Sequence, residues 1–573
     1  MYVGEAKHLF VRLWMRRKRR WVRLDKLKAN NKHVRDFDVA GRQLREHGLL
    51  ATHEIPVDDA LELLSVEELK LIAPCRATNR AGYLAAIKTQ YNAAEIRRRV
   101  GSCILLDEHV HALFHRVHLI YYRLTVLEQD NPMVAAILAR ISRRNYPEYV
   151  TCRTTNVWPS RDDFLAYEQA LQIERQFEEQ SLTCSTASRV VVGDMLACWE
   201  LCENCIGVWE DMLKTRDETR CYALRQFEAC RVYTRLLDHG THVLAKLHEY
   251  ELEGIMLRKL LDQKVYRLAK RGYWYDRLAL VQMKNVDRKA KKQALATCIE
   301  GVQDPTVHSI DLHRLHRRIH RLERDLAIPK REQLDFSYLK LRKPEERIIY
   351  GERISDAVTG FKSVWRADDG AECSVEALAL DYYKKQGYTQ GHHTENGMLS
   401  MLFMLLFWDI VFAPRDGVFE TPYQTAPLDM GSDSFYAGRV GMINGRIADI
   451  EQGKFLELIT RVDERERPRQ TVCVGVHWDY TLEELLQLAE CMGAMALSSL
   501  CRLLAEEFGQ RRGGMPDLCC WDYEGKKCLF VEVKGPGDKL SETQKAWIDT
   551  LAGFNLAVEV CYVKIWKGED VLL

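Results

Sequence analysis

Three polar residues near the carboxyl end of the sequence could together perform metal-dependent hydrolysis. Asp517 precedes one apolar run, and Glu532 and Lys534 lie in a second run that follows a turn at Glu524 and Gly525. Because side chains alternate across a strand, Glu532 and Lys534 point to the same face. Two carboxylates suit a hard divalent cation such as Mg²⁺ or Mn²⁺, and a lysine beside them can orient an attacking water. The pattern therefore predicts a hydrolytic metal site on a β-hairpin.

A bare Asp…Glu-x-Lys match also has a simpler interpretation. In it, Asp517 begins a strand by chance, and Glu532 and Lys534 form an exposed ion pair. Here the flanking residues extend the match, because residues 511–516 read Arg-Arg-Gly-Gly-Met-Pro and residues 535–544 read Gly-Pro-Gly-Asp-Lys-Leu-Ser-Glu-Thr-Gln. This extended pattern favours the hydrolytic site.

The elements that must position these residues begin near Phe336. From there, short β-branched and aromatic runs alternate with helical segments and with Gly, Pro and Asp turns, which predicts an α/β unit. The apolar run from Met398 to Trp408 falls short of the ~20 residues of a membrane span and predicts a buried core helix. Glu395 precedes that helix, where the positive end of the helix dipole favours a carboxylate. A solvated Glu395 is the alternative.

The composition is that of a globular, multi-domain protein. The 573 residues are 47% hydrophobic and 29% charged, with a net charge of +1. No signal-peptide or membrane-spanning run is found, so we expect neither secretion nor membrane insertion, and we expect the 18 cysteines to be reduced thiols.

Basic residues crowd into positions 12–28 and suit a phosphate backbone, although a solvated helix face is the alternative. We predict DNA contacts by Arg12, Arg16 and Lys18. Further along, Ser65 and Glu68 have the spacing of a capping box ahead of an apolar helical stripe. A second short helix follows near residues 83–87, so that the pair resembles a SAP module but also fits any helical hairpin.

The middle of the chain, from about residue 96 to residue 323, carries long apolar stripes at helical spacing. This predicts an all-helical domain that is loosely TPR-like, without a clean 34-residue period. Two basic stretches lie in it, at residues 288–292 and 312–321. In the second, the apolar positions recur at helical spacing, so one face should pack and the other should be cationic.

These features together resemble a known family. The stretch around Asp517 and Glu532 resembles a VRR-NUC domain of the PD-(D/E)xK superfamily, and the wider chain is similar to Fanconi-associated nucleases. Further stretches that carry the resemblance are residues 10–14, 161–164, 275–279, 373–378 and 390–397.

The resemblance implies a set of roles at the site. Glu395, Asp517, Glu532 and the main-chain carbonyl of Val533 would hold Mg²⁺ or Mn²⁺. Lys534 would support the attacking water, with Glu532 and Asp517 counted among the catalytic residues. Gln544 would have an orienting role.

The resemblance also implies a basic pocket that anchors a 5′ phosphate, so that positioning sets the cleavage point. This sequence departs from the family there, because position 273 is Tyr where arginine is expected. Arg271, Arg277 or Lys539 could substitute, and Arg512 is a further expected DNA contact. The N-terminal region also lacks a Cys/His set with the spacing of a ubiquitin-binding zinc finger.

The resulting fold prediction is a basic, SAP-like DNA-binding region over residues 1–95, a helical TPR-like domain over 96–345 and an α/β restriction-endonuclease-like domain with a mixed sheet over 346–573, with its core at 455–565. The family implies a nuclear, structure-specific endonuclease with 5′-to-3′ exonuclease activity. Its partners would be 5′-flap or branched DNA and DNA-repair proteins, and it would act as a monomer or a DNA-induced dimer. The alternatives are a Holliday-junction-type resolvase and a catalytically inactive DNA-binding scaffold.

Overall fold

The computed structural model describes residues 2–16, 19–28, 33–72, 79–123, 132–186, 192–220, 222–284, 287–336, 339–355, 363–367, 369–394, 397–432 and 434–566. The chain divides into two compact units, residues 1–124 and residues 125–573. Within the described part of the chain, no single helix is long and apolar enough to cross a membrane. The two helices at residues 482–492 and 494–507, which are bent against each other, reach that length and apolar composition only when they are taken together.

The first unit is a cluster of short helices with one two-stranded ribbon. Its elements are α1 (Tyr2–Trp14), β1 (Val22–Arg23), α2 (Leu24–Lys28), α3 (Phe37–Glu46), α4 (Val57–Glu62), α5 (Val66–Ile72), α6 (Arg80–Gln90), α7 (Ala93–Val100), β2 (Cys103–Ile104) and α8 (Glu108–Tyr122). The antiparallel pairing of β1 with β2 joins Val22 to Ile104. The first unit therefore extends beyond position 95, because its ribbon needs a strand from each side of the predicted boundary.

The predicted capping box at the start of α5 is confirmed. The backbone amide of Ser65 donates to Glu68 Oε2 at 2.8 Å, and the amide of Glu68 donates to Ser65 Oγ at 3.2 Å. Glu68 also accepts from Arg23 at 2.8 Å, which ties α5 to the ribbon. The second short helix predicted near residues 83–87 lies within α6. The assignment of these helices to a SAP module stays a prediction.

The second unit begins with a run of helices in which each packs on the next, from α10 through α16. Its helices are α9 (Pro132–Arg140), α10 (Arg161–Thr186), α11 (Val192–Lys214), α12 (Ala229–Leu247), α13 (Tyr250–Asp262), α14 (Arg271–Gln282), α15 (Arg288–Gln303) and α16 (Ser309–Asp325). This succession of packed neighbours is the arrangement of a helical repeat, in which each helix buries an apolar stripe against the next one. The predicted helical middle is confirmed from Pro132 to Asp325, whereas residues 103–104 of the predicted range form strand β2 of the first unit.

The rest of the second unit is an α/β fold. Its elements are β3 (Glu345–Gly351), β4 (Arg353–Ser355), β5 (Val364–Arg366), β6 (Glu372–Cys373), α17 (Val375–Lys385), β7 (Gln390–His393), α18 (Gly397–Leu406), α19 (Trp408–Val411), α20 (Ser434–Glu451), α21 (Phe455–Glu466), α22 (Leu482–Met492), α23 (Ala494–Glu507), β8 (Leu518–Asp522), β9 (Lys527–Lys534), α24 (Glu542–Gly553) and β10 (Ala557–Ile565).

The main sheet has the strand order β3-β10-β9-β8-β7. Strand β10 pairs in parallel with both β3 and β9, whereas β8 pairs antiparallel with β9 and with β7. The sheet is therefore mixed, as predicted. A separate three-stranded antiparallel sheet has the order β4-β5-β6.

Two cores lie on the two faces of the main sheet. Leu518 and Val531 pack in the core that includes α17, whereas Cys519 and Phe530 pack in the larger core that includes α18, α22 and α24. This division follows the alternation of side chains along each strand. Apart from the partly buried Ser400, the residues of α18 are buried, which confirms the predicted core helix.

Candidate active site

The predicted hairpin is formed by β8 and β9. Leu518 lies opposite Val531, and Asp522 lies opposite Lys527, so that a four-residue turn joins the strands. Asp517 immediately precedes β8 and Glu532 immediately follows Val531, which brings the two carboxylates to the same end of the strand pair. The local sequence pattern therefore dictates their proximity.

The candidate catalytic side chains form a connected hydrogen-bond network. Asp517 Oδ2 accepts from the backbone amide of Val533 at 2.8 Å. Lys534 Nζ lies 2.8 Å from Glu532 Oε1, and the amide nitrogen of Gln544 donates to the same oxygen at 2.5 Å. Glu532 is fully buried and Lys534 is 9% exposed. The structure thus brings together five of the predicted site residues, and the ion pair is buried, unlike the exposed pair of the simpler interpretation.

Gln544 reaches the hairpin from α24. Ser541 caps this helix, accepting from the Gln544 amide at 3.2 Å, while Gln544 Oε1 accepts from the Ser541 amide at 2.8 Å. The capping box fixes the rotamer of Gln544, because its oxygen is already engaged. The side-chain N–H group of Gln544 is then directed at Glu532.

Burial and crowding raise the pKa of both carboxyl groups. The pKa of Glu532 rises to about 7, first because the side chain is desolvated and then because Asp517 is close. The pKa of Asp517 is also raised, chiefly by burial, and the charge of Glu376 in the first turn of α17 adds to the shift. Sequence reasoning missed Glu376, since its position beside Asp517 depends on how α17 packs on the sheet.

The donor set fits a hard cation. Glu532 Oε2 is buried and accepts no hydrogen bond, so this oxygen lacks the partner that a buried acceptor normally has. Glu395, the third predicted carboxylate ligand, lies outside the described residues. Its chain neighbour Thr394 donates its amide to the carbonyl of Asp517 at 2.9 Å. Among the described residues alone, no group of three or more His, Cys, Asp or Glu side chains is arranged to hold a metal ion.

A cavity of about 450 Å³ lies between the helical repeat and the α/β fold. Its lining includes four basic side chains, Arg231, Arg267, Lys270 and Arg314. Thr543, which immediately precedes Gln544, also lines it, so the cavity adjoins the catalytic network. Of these, Arg314 belongs to the basic stretch 312–321 noted in the sequence, whereas Arg231, Arg267 and Lys270 come from other segments with no shared motif and were missed.

Two family models match the chain. The VRR-NUC domain matches residues 455–565, and the TPR domain of Fanconi-associated nuclease 1 matches residues 180–323. The Fanconi-associated nuclease 1 homolog of Schizosaccharomyces pombe is 31% identical over 98% of this chain and 86% of its own length. The chain belongs to the Fanconi-associated nuclease family. It is therefore a nuclease, of a type that uses divalent metal ions, and the TPR-like prediction is confirmed.

Other members of the Fanconi-associated nuclease family are longer. The Mus musculus nuclease is 30% identical over 98% of this chain, which spans 58% of that relative. Among solved structures, paFAN1 bound to a 2-nucleotide 5′-flap DNA with a gap matches with a TM-score of 0.75 at 20% identity, covering 99% of this chain and 92% of that one. This likeness establishes the shared Fanconi-associated nuclease fold.

One predicted DNA contact is corrected by the structure. Arg271 is 1% exposed. Its guanidinium pairs with Asp304 at 2.6 Å and donates to the carbonyls of Leu261 and Gln263, both at 2.7 Å. Because these partners consume its donors inside the helical domain, Arg271 has a structural role in this Fanconi-associated nuclease and does not face DNA.

The other predicted DNA contacts remain predictions. Arg277 forms a bidentate salt bridge with the buried Glu253. Arg512 and Lys539 are exposed on the segments that flank the hairpin. Arg12 lies in α1, Arg16 lies just beyond it, and Lys18 lies outside the described residues. The pKa of the Arg16 guanidinium is lowered first by burial and then by the charges of the neighbouring Arg20 and Arg12.

Proposed function

We propose that the chain is a structure-specific DNA endonuclease with 5′-to-3′ exonuclease activity. It would cut 5′ flaps and branched DNA in the nucleus, in the repair of interstrand crosslinks. The observation that carries this proposal is the hydrogen-bonded network of Asp517, Glu532, Lys534 and Gln544, in which Glu532 and Lys534 are buried, in a chain that matches 86% of the length of a Fanconi-associated nuclease homolog.

The proposed metal ligands are Asp517, Glu532, the carbonyl of Val533 and Glu395. The free, buried Oε2 of Glu532 and the raised pKa of both described carboxyls indicate a site built for a cation. All four donors are oxygens, which favours Mg²⁺ or Mn²⁺ over softer metals. When bound, such an ion polarises the scissile phosphate and acidifies water.

The protein groups around this site have separate tasks. The Lys534 ammonium, held by Glu532, would place a positive charge beside the attacking water and the phosphate. Gln544 would hold Glu532 in one orientation through its hydrogen bond. The Val533 amide would do the same for Asp517, because it donates to Oδ2 and so fixes the orientation of that carboxylate.

The basic cavity is the proposed anchor for a terminal 5′ phosphate. Tyr273 occupies the position where the family resemblance implies arginine, and its ring stacks on His242 at 5.6 Å between centroids. Arg267, Lys270 and Arg314 supply the positive charge around it. A phosphate in this cavity would place the following nucleotides near Thr543 and the catalytic network.

Cleavage assays on defined DNA test the proposed activity. Labelled 5′-flap, four-way-junction and linear duplex DNA would be incubated with Mg²⁺, Mn²⁺ or a chelator. We expect flap incision near the branch with either metal and no products with chelator. Symmetric cuts in the four-way junction would instead indicate a resolvase, and no products under any condition would indicate an inactive scaffold.

A second assay tests the phosphate anchor. Lys270→Gln should lower kcat/KM on a 5′-phosphorylated flap but leave the value for the matching 5′-hydroxyl flap unchanged, because only the former carries the anchored group. Lys264→Gln, which removes an exposed lysine outside the cavity, is the matched control and should act as wild type on both. An equal loss on both substrates would contradict the anchor.

A further inference from the structure

Helix α16 has one apolar face and one cationic face. Leu315, Ile319 and Leu322 are buried. Arg314, Arg317, Arg321 and Arg324 follow at intervals of three, four and three residues, which places them in one stripe on another face of the helix. At 1.5 Å per residue the stripe is about 15 Å long. The helix therefore presents a line of guanidinium groups.

The stripe starts at the basic cavity and passes beside the catalytic network. Arg314 lines the cavity. Arg317, 52% exposed, pairs with Glu542 at 2.5 Å, and Glu542 lies two residues before Gln544 in α24. The cationic line is thus continuous with the groups that would hold and cut the substrate.

The outer half of the stripe has little counter-charge. Arg321 and Arg324 are exposed, and within the described ranges neither forms an ion pair. The nearest acidic side chains on α16 are engaged elsewhere, since Asp325 pairs with Lys291 at 3.5 Å and Glu323 is buried. By contrast, Arg318 points into the domain and binds Asp276 at 2.7 Å. Two guanidiniums are therefore left for an external anion.

We propose that the stripe on α16 is a binding track for the phosphate backbone of one DNA strand that continues outward from the basic cavity. This inference rests on the proposed function and extends it to a specific surface. The repeated positive charge matches a phosphodiester backbone, and the continuity with the cavity favours DNA over an acidic protein segment.

The salt dependence of binding tests the track without requiring cleavage. Affinity for 5′-flap DNA would be measured in chelator between 50 and 200 mM salt for the full chain. Arg321→Gln/Arg324→Gln should reduce the slope of log K against log salt by about two, so the affinity lost across this range should be about tenfold smaller than for wild type. The control Arg415→Gln/Arg461→Gln removes two exposed arginines elsewhere in the α/β fold, one in a loop and one in α21, and should keep the wild-type slope.

Neutral methylphosphonate linkages would locate the contact. Replacing the phosphates that the track holds should weaken binding by wild type but not by the double variant, since the two changes remove the same interaction.

An unchanged salt slope, or additive effects at every linkage, would overturn the proposal. If wild type does not cut flaps but the double variant still shows a smaller slope of log K against log salt, the proposed function is contradicted and the track is not. If wild type cuts and the slope is unchanged, only the track fails.

Discussion

Glu532 experiences two opposed electrostatic influences. Burial and the nearby Asp517 favour its protonated form, whereas the ammonium of Lys534 favours its charged form. The first influence dominates in the metal-free protein, because the pKa of Glu532 is about 7. A divalent cation would reverse this balance, since it binds the ionised carboxylate.

This balance predicts an unusual pH dependence of stability. Between about pH 4.5 and pH 7, the folded metal-free protein keeps a proton on Glu532 that the unfolded chain has lost. The contribution of this group to the free energy of unfolding should therefore fall as pH rises through this window. Urea unfolding in chelator would measure the free energy of unfolding of wild type and of Glu532→Gln as a function of pH, and the two pH profiles should differ in this window. Parallel profiles would contradict it, and added Mg²⁺ should restore stability to wild type alone above pH 7.

The role of Asp517 is tested by a pair of substitutions. Asp517→Ala and Asp517→Asn should each slow cleavage by about a thousandfold or more, because both remove a charged metal ligand. DNA affinity should stay near the wild-type value, since no phosphate contact is lost. Asp517→Asn keeps an acceptor for the Val533 amide and should therefore be the more stable variant, which thermal unfolding would check. Wild-type cleavage rates in either variant would refute the assignment.

At the scale of elements, the segment that leads into Asp517 is fixed by three helices. Arg511, which is buried, donates to Glu507 at the end of α23 at 2.8 Å and to Ser309 at the start of α16 at 2.9 Å. Its guanidinium also lies over the ring of Trp547 in α24. The Trp547 indole N–H donates to the carbonyl of Gly513 at 3.2 Å. The position of Asp517 thus depends on packing between the helical repeat and the α/β fold.

Two adjacent glycines in this segment make a matched test. Gly514 has φ +83°, and a Cβ there would lie 2.7 Å from the Thr543 side chain. Gly514→Ala should therefore cost about 1–2 kcal/mol of stability from backbone strain alone and lower the cleavage rate by displacing Asp517 or α24. Gly513→Ala meets no atom within 4 Å and should behave as wild type. Equal activity and melting temperature in the two variants would argue against this account.

At the scale of the whole molecule, one chain holds both the catalytic network and the basic cavity. Thr543 and Gln544 are consecutive residues, one lining the cavity and the other bonded to Glu532. Helix α16 lines the same cavity and contacts α24. The geometry of binding and cutting is therefore set inside a single chain.

We accordingly expect a monomer to be sufficient for cleavage. Wild type and Asp517→Asn would be mixed at constant total protein with flap DNA in excess. The rate should rise in proportion to the wild-type fraction, because each chain acts on its own. A curved dependence would instead support a DNA-induced dimer, in which an inactive partner disables the active one.

The sequence by itself determined the hairpin and the pairing of its catalytic groups. Strand alternation places Glu532 and Lys534 on one face, and a short turn returns the chain beside Asp517. The buried helix α18 and the capping box of α5 followed from equally local patterns. These features need only contacts between residues close in sequence, which is why spacing and residue type sufficed.

Only the tertiary structure decided which charged residues are available to a substrate. Arg271 looked like a DNA contact, yet the packing of α14 against its neighbours buries it with Asp304. The positive charge of the cavity comes from residues that are far apart in the sequence, such as Arg231 and Arg314. Long-range packing decides which side chains are buried and which ones come together in a cavity. An arginine in a given sequence context therefore becomes a buried structural residue or a phosphate ligand according to the helices that pack against it.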